Sequence, residues 1–151
     1  MATPQVTPDT TLRLERTIAA PREKVFEAWT KAAALARWFA PSDEHLVTVH
    51  TLDLRPGGAY RIEMRHSSGR VSVVRGVYRE VAAPSRLVFT WSWEEAPEMA
   101  DDTLVTVEFT ARGQVTDLVL IHERFTGAPQ RDEHNKGWTG CLYRLVPSVA
   151  P

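Results

Sequence analysis

Cysteine is almost missing from this chain. Cys141 is the only one among 151 residues, so no internal disulfide can form and no thiolate cluster can hold zinc. That fits a reducing compartment, and the cytoplasm is the expected location. Charge of one sign is lacking too. Eighteen Lys and Arg stand against 19 Asp and Glu, a formal net charge of -1. No broad field then favours nucleic acid or anionic lipid, and neither is an expected partner. No apolar run approaches the ~20 residues that cross a bilayer. Residues 1–11, MATPQVTPDTT, hold no basic stretch followed by an apolar one. They are expected to be a disordered lead-in rather than a signal peptide.

Catalytic and nucleotide-binding fingerprints are also missing. There is no GxSxG, no P-loop and no dinucleotide-binding glycine pattern. Pro56-Gly57-Gly58 reads as a hairpin turn. His122 and His134 have no third ligand at metal spacing, so neither a metal nor another cofactor is expected. The acidic stretch from Glu94 to Asp102 reads as a solvated loop, with a lid or partner-docking edge as the alternative.

What is present is pattern. Pro21 suits the first turn of a helix over 21–30, where Val25, Phe26 and Trp29 recur at helical spacing. A second short helix over 32–38 is stopped by Ala40-Pro41-Ser42. Leu12 to Ile18 reads as the strand before them. Afterwards the chain alternates as antiparallel strands do. Val47, Val49 and Thr51 mark one. Tyr60, Ile62 and Met64 mark the next, and Val71 to Val81 a long one with a bend at Gly76. Leu87, Phe89, Trp91 and Trp93 share a face, as do Val105, Val107 and Phe109, and Leu118, Leu120 and His122. A last helix spans about Pro129 to Leu145. Trp138, Leu142 and Leu145 lie at i, i+4 and i+7, with Cys141 beside them. Arg131 and His134 sit upstream on the same side. Gly137 and Gly140 each cost that helix about 1 kcal/mol relative to alanine, so close packing against the sheet is the expected compensation. Residues 147–151 are expected to fray. No linker or repeat interrupts 12–146, which reads as a single domain large enough to bury roughly 70% of its unfolded surface.

Several segments carry a resemblance. They are APREKVFEAWT at 20–30, RWFAP at 37–41, DLRPGGAYRIEM at 53–64 and GVYREVAAPSRLVFTW at 76–91. VTVEFT at 105–110, LVLIHERF at 118–125 and RDEHNKGWTGCLYRL at 131–145 complete the set. In this order they resemble the START-like superfamily, also called SRPBCC. Within it the chain is similar to the bacterial family related to the C-terminal domain of the heat-shock protein 90 ATPase activator. The resemblance implies an α+β helix-grip fold. A curved antiparallel sheet wraps a long C-terminal helix, and two short helices follow the first strand. It also implies an apolar cavity between sheet and helix. Functions across the superfamily are diverse, so fold alone does not choose among them.

The function expected is binding, with weak catalysis or none, of a small apolar or aromatic molecule that has one polar handle. Trp38, Phe39, Tyr60, Met64, Trp91, Trp93, Phe109 and Trp138 are the candidate walls. His122, His134 and Arg131 are the candidate handles. A histidine facing the cavity can orient a carbonyl or take a proton near neutral pH. The bland alternative is a core histidine satisfied by its neighbours. Two other functions stay open. One is a cyclase or dehydratase that uses His122 as acid or base. The other is an interaction module that modulates a chaperone or another ATPase. A homodimer through a sheet edge or the helical end is also open.

Overall fold

A computed structural model of the chain describes residues 8–150. Most of the expected lead-in, residues 1–7, lies outside the described residues, as does residue 151. The first strand, β1 (Thr11–Ile18), precedes two helices, α1 (Arg22–Thr30) and α2 (Ala32–Leu35). Six strands follow: β2 (His45–Leu52), β3 (Ala59–His66), β4 (Val71–Ala82), β5 (Arg86–Trp93), β6 (Thr103–Arg112) and β7 (Val115–Glu123). The last element is the helix α3 (Ala128–Val149). β1 begins at Thr11, one residue inside the expected lead-in.

The strands form one seven-stranded sheet in the order β1-β7-β6-β5-β4-β3-β2. Every neighbouring pair is antiparallel. Short hairpins force that order from β2 to β7, and β1 closes against β7 with Leu12 opposite His122. Because strand side chains alternate, one register sets a whole face. Leu118, Leu120 and His122 pair laterally with Phe109, Val107 and Val105. Phe89 and Leu87 pair with Val105 and Val107 in turn. This continuous inner face carries the core, and α3 lies across it. α3 buries His134, Trp138, Cys141, Leu142, Leu145 and Val149. The arrangement is the helix-grip fold.

Three local expectations need correcting. α2 stops at Leu35 rather than at Trp38. Beyond it the backbone curls through tight turns, with Phe39 N–H on the Leu35 carbonyl and Ala40 N–H on that of Trp38. The Trp38 indole reaches back to the Ala28 carbonyl at 2.9 Å, which pins the segment to α1. Second, α3 does not fray at Pro147. It continues to Val149, which is only 3 % exposed and anchors the final turn. A proline this close to a helix end forfeits a single intrahelical bond. Third, the two helical glycines differ. A Cβ at Gly140 would stand 2.3 Å from the Pro41 carbonyl oxygen, so close packing does hold there, against the 37–43 segment rather than the sheet. A Cβ at Gly137 would meet nothing within 4 Å.

The bend expected at Gly76 has a specific cause. A Cβ there would lie 2.0 Å from the Thr90 carbonyl oxygen and 2.7 Å from the Tyr60 ring. Instead Tyr60 donates its hydroxyl to that carbonyl, and Val77 N–H turns to the Thr90 hydroxyl. β4 and β5 part at this point, and further along the strand, between Tyr78 and Glu80, their register slips by one residue. The hollow of the sheet depends on such interruptions.

Candidate functional site

The space that Gly137 leaves open belongs to a cavity of about 540 Å³. It lies between α3 and the adjoining ends of β2, β3, β4 and β5. Its floor is apolar and buried: Phe39, Met64, Trp91, Trp138 and Cys141. Trp93 and Met99 flank it, half-buried. Its mouth is polar, with Ser68, Arg70, Glu95, Glu133 and Lys136 exposed around it and His45 and His66 half-buried beside them. Depth therefore sorts the chemistry, with aromatic groups inside and charge outside.

Six of the expected residues meet at this cavity: Phe39, Met64, Trp91, Trp93, His134 and Trp138. The other five stand elsewhere, each for a physical reason. Trp38 is fully buried and packs edge-on against Trp29 at 4.7 Å. Phe109 does the same with Phe26 at 5.4 Å. Tyr60 spends its hydroxyl on the Thr90 carbonyl and its ring on Tyr78 and Phe89. Arg131 pairs with Asp9 and Asp132, both at 3.1 Å. It shares Trp138's side of α3 but lies about 10 Å further up the axis, beside the start of β1.

His122 is the most informative of the five. It is 0 % exposed and lines no part of the cavity. Its Nδ1 accepts the Trp138 indole N–H at 3.0 Å. Since an indole can only donate, the ring proton sits on Nε2. That N–H donates to the Thr103 hydroxyl at 2.8 Å, and the hydroxyl donates to the Trp91 carbonyl at 2.8 Å. Both nitrogens are occupied, so none is free for acid–base work on a ligand. His134 repeats the device on α3. Its Nε2 accepts the Trp93 indole N–H at 2.9 Å, and its Nδ1–H donates to the Gln130 carbonyl at 2.8 Å. Two neutral imidazoles thus hold two wall tryptophans in place. The third wall indole, Trp91, has a buried N–H without an acceptor among the described residues.

Burial pushes both pKa values down. For His122 the second cause is the neighbouring His134, and for His134 burial outweighs the opposing pull of the Gln130 carbonyl and Glu133. Burial likewise lowers His45. A proton added to His122 or His134 would set N–H against N–H. In the unfolded chain these rings take protons near 6.5, the ordinary value. Below that pH the unfolded state binds more protons than the folded one. Stability is therefore complete above about pH 6.5 and falls as the pH drops towards the depressed folded values. The limiting slope is about 1.4 kcal/mol per pH unit for each of His122 and His134. Urea melts between pH 8 and pH 5 should be flat at first and then decline, and stability that is level down to pH 5 would contradict this assignment.

Several other polar groups of the mouth are held locally. His45 and His66 come from facing positions of β2 and β3 and stack edge-to-face at 5.0 Å. His66 bonds Ser68 and Glu44, and His45 bonds Ser42 at 2.9 Å. Glu95 turns inward to accept the Val73 N–H at 3.0 Å. Burial pushes the Cys141 thiol up to about 12, so it stays protonated and unreactive. Among the described residues no three His, Cys, Asp or Glu side chains converge as a metal site would need. No described helix is long and apolar enough to cross a membrane. Sequence reasoning missed His45 and His66, although both continue inward-facing alternations, with Val47 and with Met64. Arg70 and Gly137 carried no such signal.

A family model described as activator of Hsp90 ATPase homolog 1-like protein matches residues 19–149. The chain belongs to this family. Solved structures agree. A protein from Chromobacterium violaceum is 29% identical, with a TM-score of 0.86 over 94% of this chain and 98% of that one. An AHSA1-like protein from Aeromonas hydrophila is 26% identical, with a TM-score of 0.75, over 92% of this chain and 91% of that one. An AHSA1 protein from Silicibacter pomeroyi is 27% identical, with a TM-score of 0.78, over 92% and 96%. No curated protein matches the chain. Membership of the Hsp90-ATPase-activator-like family agrees with the resemblance read from the motifs, and with the order of strands and helices. It assigns no ligand.

Proposed function

We propose that the protein binds a small, flat, mostly apolar molecule in the cavity between sheet and α3. One observation carries this reading: about 540 Å³ of space, walled by Phe39, Met64, Trp91, Trp93 and Trp138, remains inside a domain otherwise packed closely. Ligand sites typically have this size and this mixture of aromatic wall and sparse polar rim. The bare Cα of Gly137 supports it further. Nothing packs on that glycine, so its helix cost is offset by access rather than by contact. A module acting through its outer surface alone would have no need of such a space. An acid–base role for His122 is not part of the proposal, because its nitrogens are occupied.

The test is a fluorescence titration with N-phenyl-1-naphthylamine, an uncharged probe that brightens in apolar surroundings. Dissociation constants of about 1–50 µM are expected for a probe of this size. Gly137→Leu should fill the space and weaken binding at least about ten-fold, the loss expected when ~1.4 kcal/mol of contact is removed. Binding unaffected by that substitution would place the probe elsewhere and overturn the proposal.

A further inference from the structure

The four charged side chains at the mouth, Arg70, Glu95, Glu133 and Lys136, balance in number but not in how far the chain already occupies them. Among the carboxylates there, Glu133 holds Lys136 at 3.2 Å, and Glu95 accepts the Val73 N–H. Each has a partner within the chain. Arg70 is different. Its backbone N–H turns to the Ser68 hydroxyl, but its guanidinium has no acceptor among the described residues. The turn that presents it is well tied. His66 N–H bonds the Arg70 carbonyl at 2.8 Å and Gly69 N–H bonds the His66 carbonyl at 2.9 Å. Ser67 N–H bonds the Glu44 carbonyl at 2.9 Å, and the His66 ring bonds the Ser68 hydroxyl at 2.9 Å. A fixed turn thus holds a guanidinium with unused donors at the rim of an apolar hollow, with the ammonium of Lys136 on the same rim from α3.

We infer that the ligand is an amphiphilic acid, with its apolar body among Trp91, Trp93 and Trp138 and its anionic group against the guanidinium of Arg70 at the mouth. This rests on the reading of the cavity as a ligand site. A carboxylate, or two oxygens of a sulfonate, can take two parallel N–H bonds from a guanidinium, which a neutral hydroxyl cannot do. The polar handle is then Arg70, on the β3–β4 turn, and not Arg131, whose charge is matched by Asp9 and Asp132. Leaving the acid group at the exposed rim also avoids the cost of burying a charge.

The test uses two probes that share one ring skeleton. 1-Anilinonaphthalene-8-sulfonate carries an anionic group and N-phenyl-1-naphthylamine carries none. Both are titrated into the full chain and into Arg70→Gln, a change on an exposed turn that should leave the melting curve unaltered. The substitution is expected to weaken the sulfonate about five- to ten-fold, the size of one exposed charge-assisted pair. It should change the neutral probe less than about two-fold. Equal changes for the two probes, or none for either, would overturn the acid inference while leaving the cavity reading intact. Failure of both probes to bind the wild-type chain would overturn the cavity reading and this inference with it.

Discussion

Replacing His122 with alanine is expected to destabilise the protein by about 3–5 kcal/mol, the cost of breaking a buried polar network and leaving a void behind. For a domain of this length that lowers the melting temperature by roughly 10 °C. The substitution removes the acceptor of the Trp138 indole and the donor to the Thr103 hydroxyl. It also empties a fully buried position packed against Phe125 at 4.3 Å and Trp91 at 5.4 Å. His122→Leu separates the two losses. It keeps most of the volume and leaves the indole N–H unpaired, which should cost about 1–3 kcal/mol. Thermal and urea melts of both variants measure the difference. A His122→Ala variant as stable as wild type would show that this histidine is a free functional group after all.

Gly140→Ala and Gly137→Ala should have opposite signs, although both replace glycine in one helix. At Gly140 the new methyl would press on the Pro41 backbone, which cannot turn aside as a flexible side chain could. The same contact region is clamped by Arg144, which donates to the Ala40 and Arg37 carbonyls and pairs with Asp43. Overpacking against a held backbone is expected to cost about 2–3 kcal/mol, more than the ~1 kcal/mol that alanine's helix propensity returns. At Gly137 the methyl enters the open cavity, and propensity alone decides. That variant should gain about 0.5–1 kcal/mol. Two losses would mean that Gly137 also packs closely and that the cavity is smaller than described. Two gains would mean that the α3 contact with the 37–43 segment is loose.

The fold was legible because strand alternation is local. Tyr60, Ile62 and Met64, or Leu118, Leu120 and His122, share a face wherever the strand ends up. Face, however, is not depth. His122, Phe109, Trp91 and Trp138 all point inward, and only the way α3 seats on the sheet divides them between solid core and open wall. That seating is set by contacts far apart in the chain, such as Trp93 with His134 and Gly140 with Pro41. Arg131 was misplaced for a related reason, since helical spacing gives angle around an axis and not height along it. Arg70 was invisible because its part depends on what its neighbours have already spent. The end of α3 misled because proline's weak preference for a helix was overridden by burial of Val149.

The most direct measurement follows the five tryptophan indole N–H signals in a proton–nitrogen correlation spectrum while N-phenyl-1-naphthylamine is added. Trp91, Trp93 and Trp138 form the cavity wall, whereas Trp29 and Trp38 lie in the core behind it. The account predicts that the first three signals move with the probe, that the other two move far less, and that Gly137→Leu abolishes the pattern. Five unmoved signals, or shifts confined to Trp29 and Trp38, would contradict it.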